Sequence, residues 1–184
     1  MRVLAGELKG QRLSAPRGSV TRPTADRVRI ACLDTLMPVL PAGPFLDLFA
    51  GAGGVGIEAL SRGAPSAVFV EQDALALRAL RDNVERLKLG ARARIVRADA
   101  ARAVEDLARR GERFAVVFLD PPYASPRAAP ALAAVATGEV LLAGAIIVLQ
   151  HGSKAPPPES LGVVRVARAK KFGETTLTFF SAPA

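Results

Sequence analysis

The chain has 184 residues, half of them apolar, a net charge of +8, one cysteine and one histidine. That length fits one domain with a small appendage. Cys32 alone excludes an internal disulfide and a cysteine metal cluster, His151 alone argues against a histidine metal site or a Ser-His-Asp triad, and no apolar run approaches the roughly 20 residues of a membrane span. Cys32 then reads as a core packer. The start, MRVLAGELKGQRL, scatters charges and lacks an apolar leader core, so a cytoplasmic protein without metal is expected. The positive balance favours polyanions, nucleic acid first, because phosphate contacts release counterions. Aromatic residues are 5% of the chain and Trp is absent, too few for a base-stacking platform. Arg2, Lys9, Arg12, Arg17, Arg22, Arg27 and Arg29 crowd the first thirty residues against Glu7 and Asp26, and Arg165, Arg168, Lys170 and Lys171 form a second basic cluster.

Residues 2–14 read as a small hairpin punctuated by Gly6 and Gly10. PRGS (16–19) is a loop. A helix follows, capped by Thr24, with Val28, Ala31, Cys32, Leu36, Val39 and Leu40 near helical spacing until Pro38 and Pro41 break the pattern. Residues 1–22 are taken as an arginine-rich extension and 23–184 as the main domain. PFLDLFA (44–50) is a buried strand, and GAGGVG turns into a short helix ending near Gly63. SAVFVE (66–71) is a strand; 73–89 is a helix with Leu75, Leu77, Leu80, Val84 and Leu87 inside and Gly90 past its end. RARIVRAD (92–99) is a strand, 100–110 a helix, FAVVFLD (114–120) a strand, 127–142 a helix and GAIIVLQ (144–150) a strand. GVVRVARAKKFGETTLTFF closes the chain as two strands around KKFGE. Strands alternating with helices imply a doubly wound, mostly parallel sheet, and the last two, with no helix between them, an antiparallel hairpin.

Ligands on such sheets bind at the carboxyl ends of the strands, where strand order reverses. Four consecutive strand ends carry Asp47, Glu71, Asp99 and Asp120, expected to face one crevice. Gly51, Gly53 and Gly56 spell G-x-G-x-x-G, and Glu71 follows Gly51 by twenty residues. That spacing suits a tight turn, a close backbone approach and a carboxylate on a ribose diol. NAD and S-adenosylmethionine satisfy it equally. No hydride-site His, Lys or Tyr accompanies it, whereas Asp99 is positioned for an adenine amino group and DPPY (120–123) follows the fourth strand. DPPY resembles the motif of methyltransferases that act on exocyclic amines. Such an amine is a poor nucleophile, its lone pair delocalised into the ring. Asp120 and the Pro121 carbonyl would accept its two N–H bonds, Pro121 and Pro122 would fix where that carbonyl points, and Tyr123 would stack on the base. No metal is needed.

RVLAGELKGQRL, TRPTADRVR, LDLFAGAGGVGIEALSRGA, VEQD, DPPY and KKFGETTLTFF together resemble the RsmD family, bacterial methyltransferases of guanine N2 in small-subunit ribosomal RNA. The resemblance runs nearly the full length. It implies a Rossmann-like class I methyltransferase with a seven-stranded, mostly parallel sheet, a C-terminal antiparallel hairpin and a small N-terminal hairpin that contacts RNA. It implies S-adenosylmethionine as donor, leaving as S-adenosylhomocysteine, held by Asp47, Gly51, Gly53, Glu71, Gln72, Asp99, Ala100 and Asp120. It also implies small-subunit ribosomal RNA or the assembling subunit as partner, and a monomer. Arg2, Lys9, Arg12, Arg22, Arg27 and Arg29 would then hold phosphates, which position without specifying. The family pattern puts an acid near Gln150, and this chain departs from it. His151 reads as a loop residue near the crevice, and Arg27 is open to a site contact or to pairing with Asp26 or Glu58. Competing readings are an adenine-N6 or protein-glutamine methyltransferase, a non-catalytic RNA-binding module, and an NAD(P) oxidoreductase. The first more often has Asn at position 120 and a larger recognition region.

Overall fold

The computed structural model describes residues 1–15, 23–122 and 125–184, with side chains from Ala25 onward in the second stretch. The PRGS loop, Arg17, Arg22, the Thr24 cap side chain and Tyr123 lie outside what is described. One sheet organises the molecule. Its strands are β1 (Phe45–Leu48), β2 (Ala67–Glu71), β3 (Ala93–Arg97), β4 (Phe114–Leu119), β5 (Leu141–Gly152), β6 (Ser160–Leu161), β7 (Val164–Phe172) and β8 (Thr175–Ser181). The order is β3-β2-β1-β4-β5-β8-β7-β6, parallel from β3 to β5 and antiparallel beyond. The seven expected strands are present, and β6 adds a two-residue edge pairing with β7. Strand order reverses between β1 and β4.

Alternation along the strands divides the core. Phe45, Phe69, Phe118 and Phe179 face α1 (Pro23–Leu36), α2 (Gly54–Ser61) and α3 (Ala74–Arg86), and are at most 3% exposed. Leu46, Val68, Val117 and Phe180 face α4 (Ala100–Arg109) and α5 (Ala128–Ala136). Burying each such ring contributes about 1.5–3 kcal/mol. The same parity puts Asp47, Glu71 and Asp120 on the α1–α3 side, two residues after Phe45, Phe69 and Phe118. Cys32 is a core packer, 1% exposed, and burial pushes its thiol far up.

Several boundaries move for physical reasons. Leu75 is 67% exposed, because it lies about 200° around the helix from Leu77, whose face with Leu80 and Val84 is buried. Lys88, not Gly90, takes the left-handed position after α3, at φ 56°. Leu89 N–H then reaches back to the Val84 carbonyl at 2.9 Å, and the two side chains pack. Gly138 (φ 87°) stops α5 early, so Leu141 and Leu142 open β5 rather than extend the helix. At its other end β5 runs to Gly152, which places His151 in a strand and not a loop. Its ring nitrogens lie 2.9 Å from the Gly152 carbonyl and 2.8 Å from Thr178 Oγ1.

The N-terminal segment is a loop closed by one antiparallel bridge, Arg2 to Arg12, with Gly6 and Gly10 left-handed. It is seated on α2 and α3. Val3 and Leu13 are buried. Glu7 N–H donates to the Ser61 carbonyl, Leu8 N–H to Ser61 Oγ and Leu4 N–H to Glu58 Oε2, at 2.9, 2.9 and 3.1 Å. The amide of the fully buried Asn83 bonds both Ser14 and the Ala52 carbonyl, so one side chain ties this segment to the glycine loop.

Candidate active site

β1 ends in a turn that only unusual backbone can make. Phe49, Gly51 and Gly53 have φ of 65°, 55° and 86°, and Gly53 caps α2. A side chain on Gly51 would stand in open space, with nothing within 4 Å, so its backbone fronts the crevice. Gly56 is required for the opposite reason: a Cβ there would sit 2.4 Å from the Phe69 ring and 2.9 Å from Asp47 Oδ2. The loop therefore closes over β1 with no room beneath it.

Three acids hold this edge together. Glu71 Oε2 accepts from Gly51 N–H at 2.8 Å, and Oε1 from the N–H groups of Gln72 and Asp73 at 2.7 and 2.8 Å. Three donors occupy a carboxylate that offers about four lone-pair sites. Asp99 caps α4, its Oδ1 accepting from Ala101 and Arg102 N–H at 3.0 and 3.4 Å. Asp47 departs from the expectation that it faces the crevice. It is 1% exposed and lies under the loop, Oδ2 accepting from Gly56 N–H at 2.9 Å. Desolvation raises its carboxyl to about 8 against that hydrogen bond, with the charges of Asp120 and Glu71 adding to the rise. Those two charges reach it because the sheet's parity converges all three acids.

Asp120 leaves β4 beside β1, its N–H 3.4 Å from the Leu48 carbonyl. It stands open to the crevice, yet the protein crowded around the strand ends raises its carboxyl to about 7 by desolvation. Asp120, Pro121 and Pro122 line a cleft of about 980 Å³ whose other sides are Ala25 and Val28 of α1, Gln150 and Gly152 of β5 with Ser153 and Lys154 just past it, and the β7–β8 turn. Phe49, Val70, Glu71, Gln72, Ala98 and Ala100 line a separate shallow crevice toward β3. Another cavity, about 400 Å³, opens at the amino ends of the strands. Two of the three arginines that line it are engaged structurally: Arg92 with Glu7 and the Leu60 and Ala64 carbonyls, Arg94 with Glu112.

A family model described as Conserved hypothetical protein 95 matches residues 1–181. A Bacillus subtilis protein, YlbH, named as a candidate rRNA methyltransferase, is 37% identical over 98% of both chains. Ribosomal RNA small subunit methyltransferase D of Escherichia coli is 39% identical over 67% of this chain and 60% of its own. The chain belongs to the RsmD family. Its fold agrees: the solved structure of the Escherichia coli methyltransferase candidate yhhF superposes with a TM-score of 0.86 at 29% identity, covering 100% of this chain and 98% of that one.

Against the expected RsmD surface, Arg2, Lys9, Arg12 and Arg27 are exposed. Arg29 is the correction. It is 6% exposed and its guanidinium faces inward, to the Arg2 carbonyl at 2.8 Å, Asp26 at 3.0 Å and Glu58 at 3.3 Å. Glu58, fully buried, also pairs with Arg62 at 2.9 Å. The pairings considered for Arg27 thus belong to Arg29, which anchors the N-terminal segment. Residues to which sequence reasoning gave no place in the site also line it. Phe49 and Ala98 border the shallow crevice, and Lys154, Lys171 and Phe172 border the cleft. KKFGE signalled a hairpin turn; nothing local in it signals a neighbour 50 residues earlier.

Proposed function

We propose that this RsmD-family chain transfers a methyl group from S-adenosylmethionine to the exocyclic N2 of a guanine in small-subunit ribosomal RNA. The observation that carries the reading is Asp120-Pro121-Pro122 at the end of β4, beside the glycine loop, where strand order reverses. The residues present fit the cofactor: the bare Gly51 backbone fronts open space, next to Glu71, which holds its N–H and lines the crevice with Gln72 and Ala100. When bound, the cofactor supplies an electrophilic methyl on a sulfonium. Glu71 has one lone-pair site left for a ribose hydroxyl, Asp99 accepts from the adenine amine, and Gln72 and Ala100 flank that base. Gly51 and Gly53 let the backbone approach, while Asp47 acts from beneath by holding Gly56. Asp120 and the Pro121 carbonyl accept the two N–H bonds of the target amine, which keeps its lone pair on nitrogen and aimed at the methyl. The prolines fix that carbonyl's direction. Tyr123 is assigned to stacking on the base.

In this reading residues 1–22 are the RNA-contacting extension and 23–184 the methyltransferase domain. Arg2, Lys9, Arg12, Arg22 and Arg27 hold phosphates, and the enzyme acts as a cytoplasmic monomer on ribosomal RNA or an assembling subunit. No helix among the described residues is long and apolar enough to cross a membrane.

The deciding experiment is transfer from methyl-labelled S-adenosylmethionine to small subunits that lack this modification, followed by nucleoside analysis. Labelled N2-methylguanosine is the expected product. Label in methyladenosine or in protein would overturn the assignment of the acceptor while leaving the donor.

A further inference from the structure

We propose that the β7–β8 turn, together with Lys154, is a second RNA-holding surface. Lys154 and Lys171 hold phosphates of the strand flanking the target nucleotide, and Phe172 supports a neighbouring base. This rests on the reading that the acceptor is RNA, and deepens it by assigning where the strand runs.

Size is the first argument. The cleft on Asp120 measures about 980 Å³, at the upper end of the roughly 300–1,000 Å³ that encloses a drug-sized ligand. One flat base is smaller than that, and Glu71, Gln72 and Ala100, assigned with Asp99 to the cofactor's nucleoside, line a different crevice. The cleft has room for the cofactor's methyl-bearing end at Asp120, the target base and part of the flanking strand. Its chemistry is the second argument. Lys154 and Lys171 are exposed, and neither joins an ion pair among the described residues. Lys170, by contrast, is engaged with Thr35 Oγ1 at 2.8 Å. Phe172 packs partly on the core and presents the rest of its surface to the cleft. Exposed cations beside an accessible ring suit a single strand, whose phosphates need charge and whose bases need a face.

Rigidity is the third. Gly173 (φ 63°) makes the turn, and Ser153 fastens it: N–H to the Glu174 carbonyl at 2.8 Å, Oγ to the Gly173 carbonyl at 3.1 Å, and Oγ to Thr176 Oγ1 at 2.7 Å. A wall fixed before binding loses less freedom when a ligand arrives. Glu174 also lines the cleft and opposes the lysines in sign. A plainer role for these lysines is to guard β7, which β6 covers only at Val164 and Arg165, against strand addition. That role predicts no effect on RNA.

The test is a salt titration of binding to unmodified small-subunit ribosomal RNA, using the full chain. Lys154→Glu with Lys171→Glu is expected to weaken binding about tenfold or more, and to flatten the slope of log K against log salt by about 1.4, two single-strand phosphates at about 0.7 each. Lys154→Arg with Lys171→Arg should restore both, Glu174→Gln should tighten binding, and Phe172→Leu should raise the KM for RNA. S-adenosylhomocysteine binding by each variant checks the fold. Unchanged affinity and slope in a glutamate double variant that binds S-adenosylhomocysteine would overturn the second surface alone. A wild-type protein that neither binds nor methylates this RNA would overturn the RNA reading with it.

Discussion

The two halves of the sheet's carboxyl edge treat their acids differently. On the β1–β2–β3 side, Asp47, Glu71 and Asp99 accept one, three and two main-chain N–H bonds. On the β4 side, no group among the described residues donates to the Asp120 carboxylate, and desolvation alone moves its pKa. A carboxylate filled by backbone donors holds a loop in shape; one left unfilled keeps its lone pairs for a ligand. The first half is therefore scaffold as much as site, and substitutions there should cost stability and cofactor binding together. In the second half they should cost turnover alone.

The largest effect expected is on Asp120→Ala. Turnover should fall about 100- to 1,000-fold, with the melting temperature close to wild type; a collapse of stability instead would erase the contrast. Gly56→Ala comes next. Its Cβ has only the Phe69 ring and Asp47 to enter, so it should lose about 1–3 kcal/mol in denaturant unfolding, and S-adenosylhomocysteine affinity with it. Retained affinity at reduced stability would detach the loop from the cofactor. The pH profile is the third probe. With Asp120 as the proposed ionised acceptor and its carboxyl raised to about 7, kcat/KM should climb about tenfold between pH 6 and 8. A flat profile would mean that another group accepts the amine protons. Smallest is Asp99→Ala, which removes a helix cap worth about 1 kcal/mol along with the proposed adenine contact; a change in binding without one in stability would make Asp99 a ligand acceptor only.

Much of this was legible from local pattern. The alternation of buried strands and helices placed β1 to β5 within a few residues, and Gly173 made the closing hairpin readable from KKFGE. The glycine spacing and the acid twenty residues on marked the loop that Glu71 holds. What pattern misjudged was orientation and burial. Leu75 looked like its neighbours but points outward, and His151 looked like a loop residue because β5 outlasts its apolar run. Arg29 looked like Arg27, two residues away, yet one is buried against Glu58 and the other is exposed. A helix turns about 200° between them, so opposite fates are expected, but which one faces inward depends on where α2 lies.

By itself, the sequence determined most of the element types, which residues stand at each strand end and the family, because these depend on residue identity and on short spacings. Only the tertiary structure decided which acids are filled and which is left open, and that β8 inserts between β5 and β7 so that Lys154, Lys171 and Phe172 come to Asp120. Both follow from strand order and packing, which bring together groups that are remote along the chain and that no local period records.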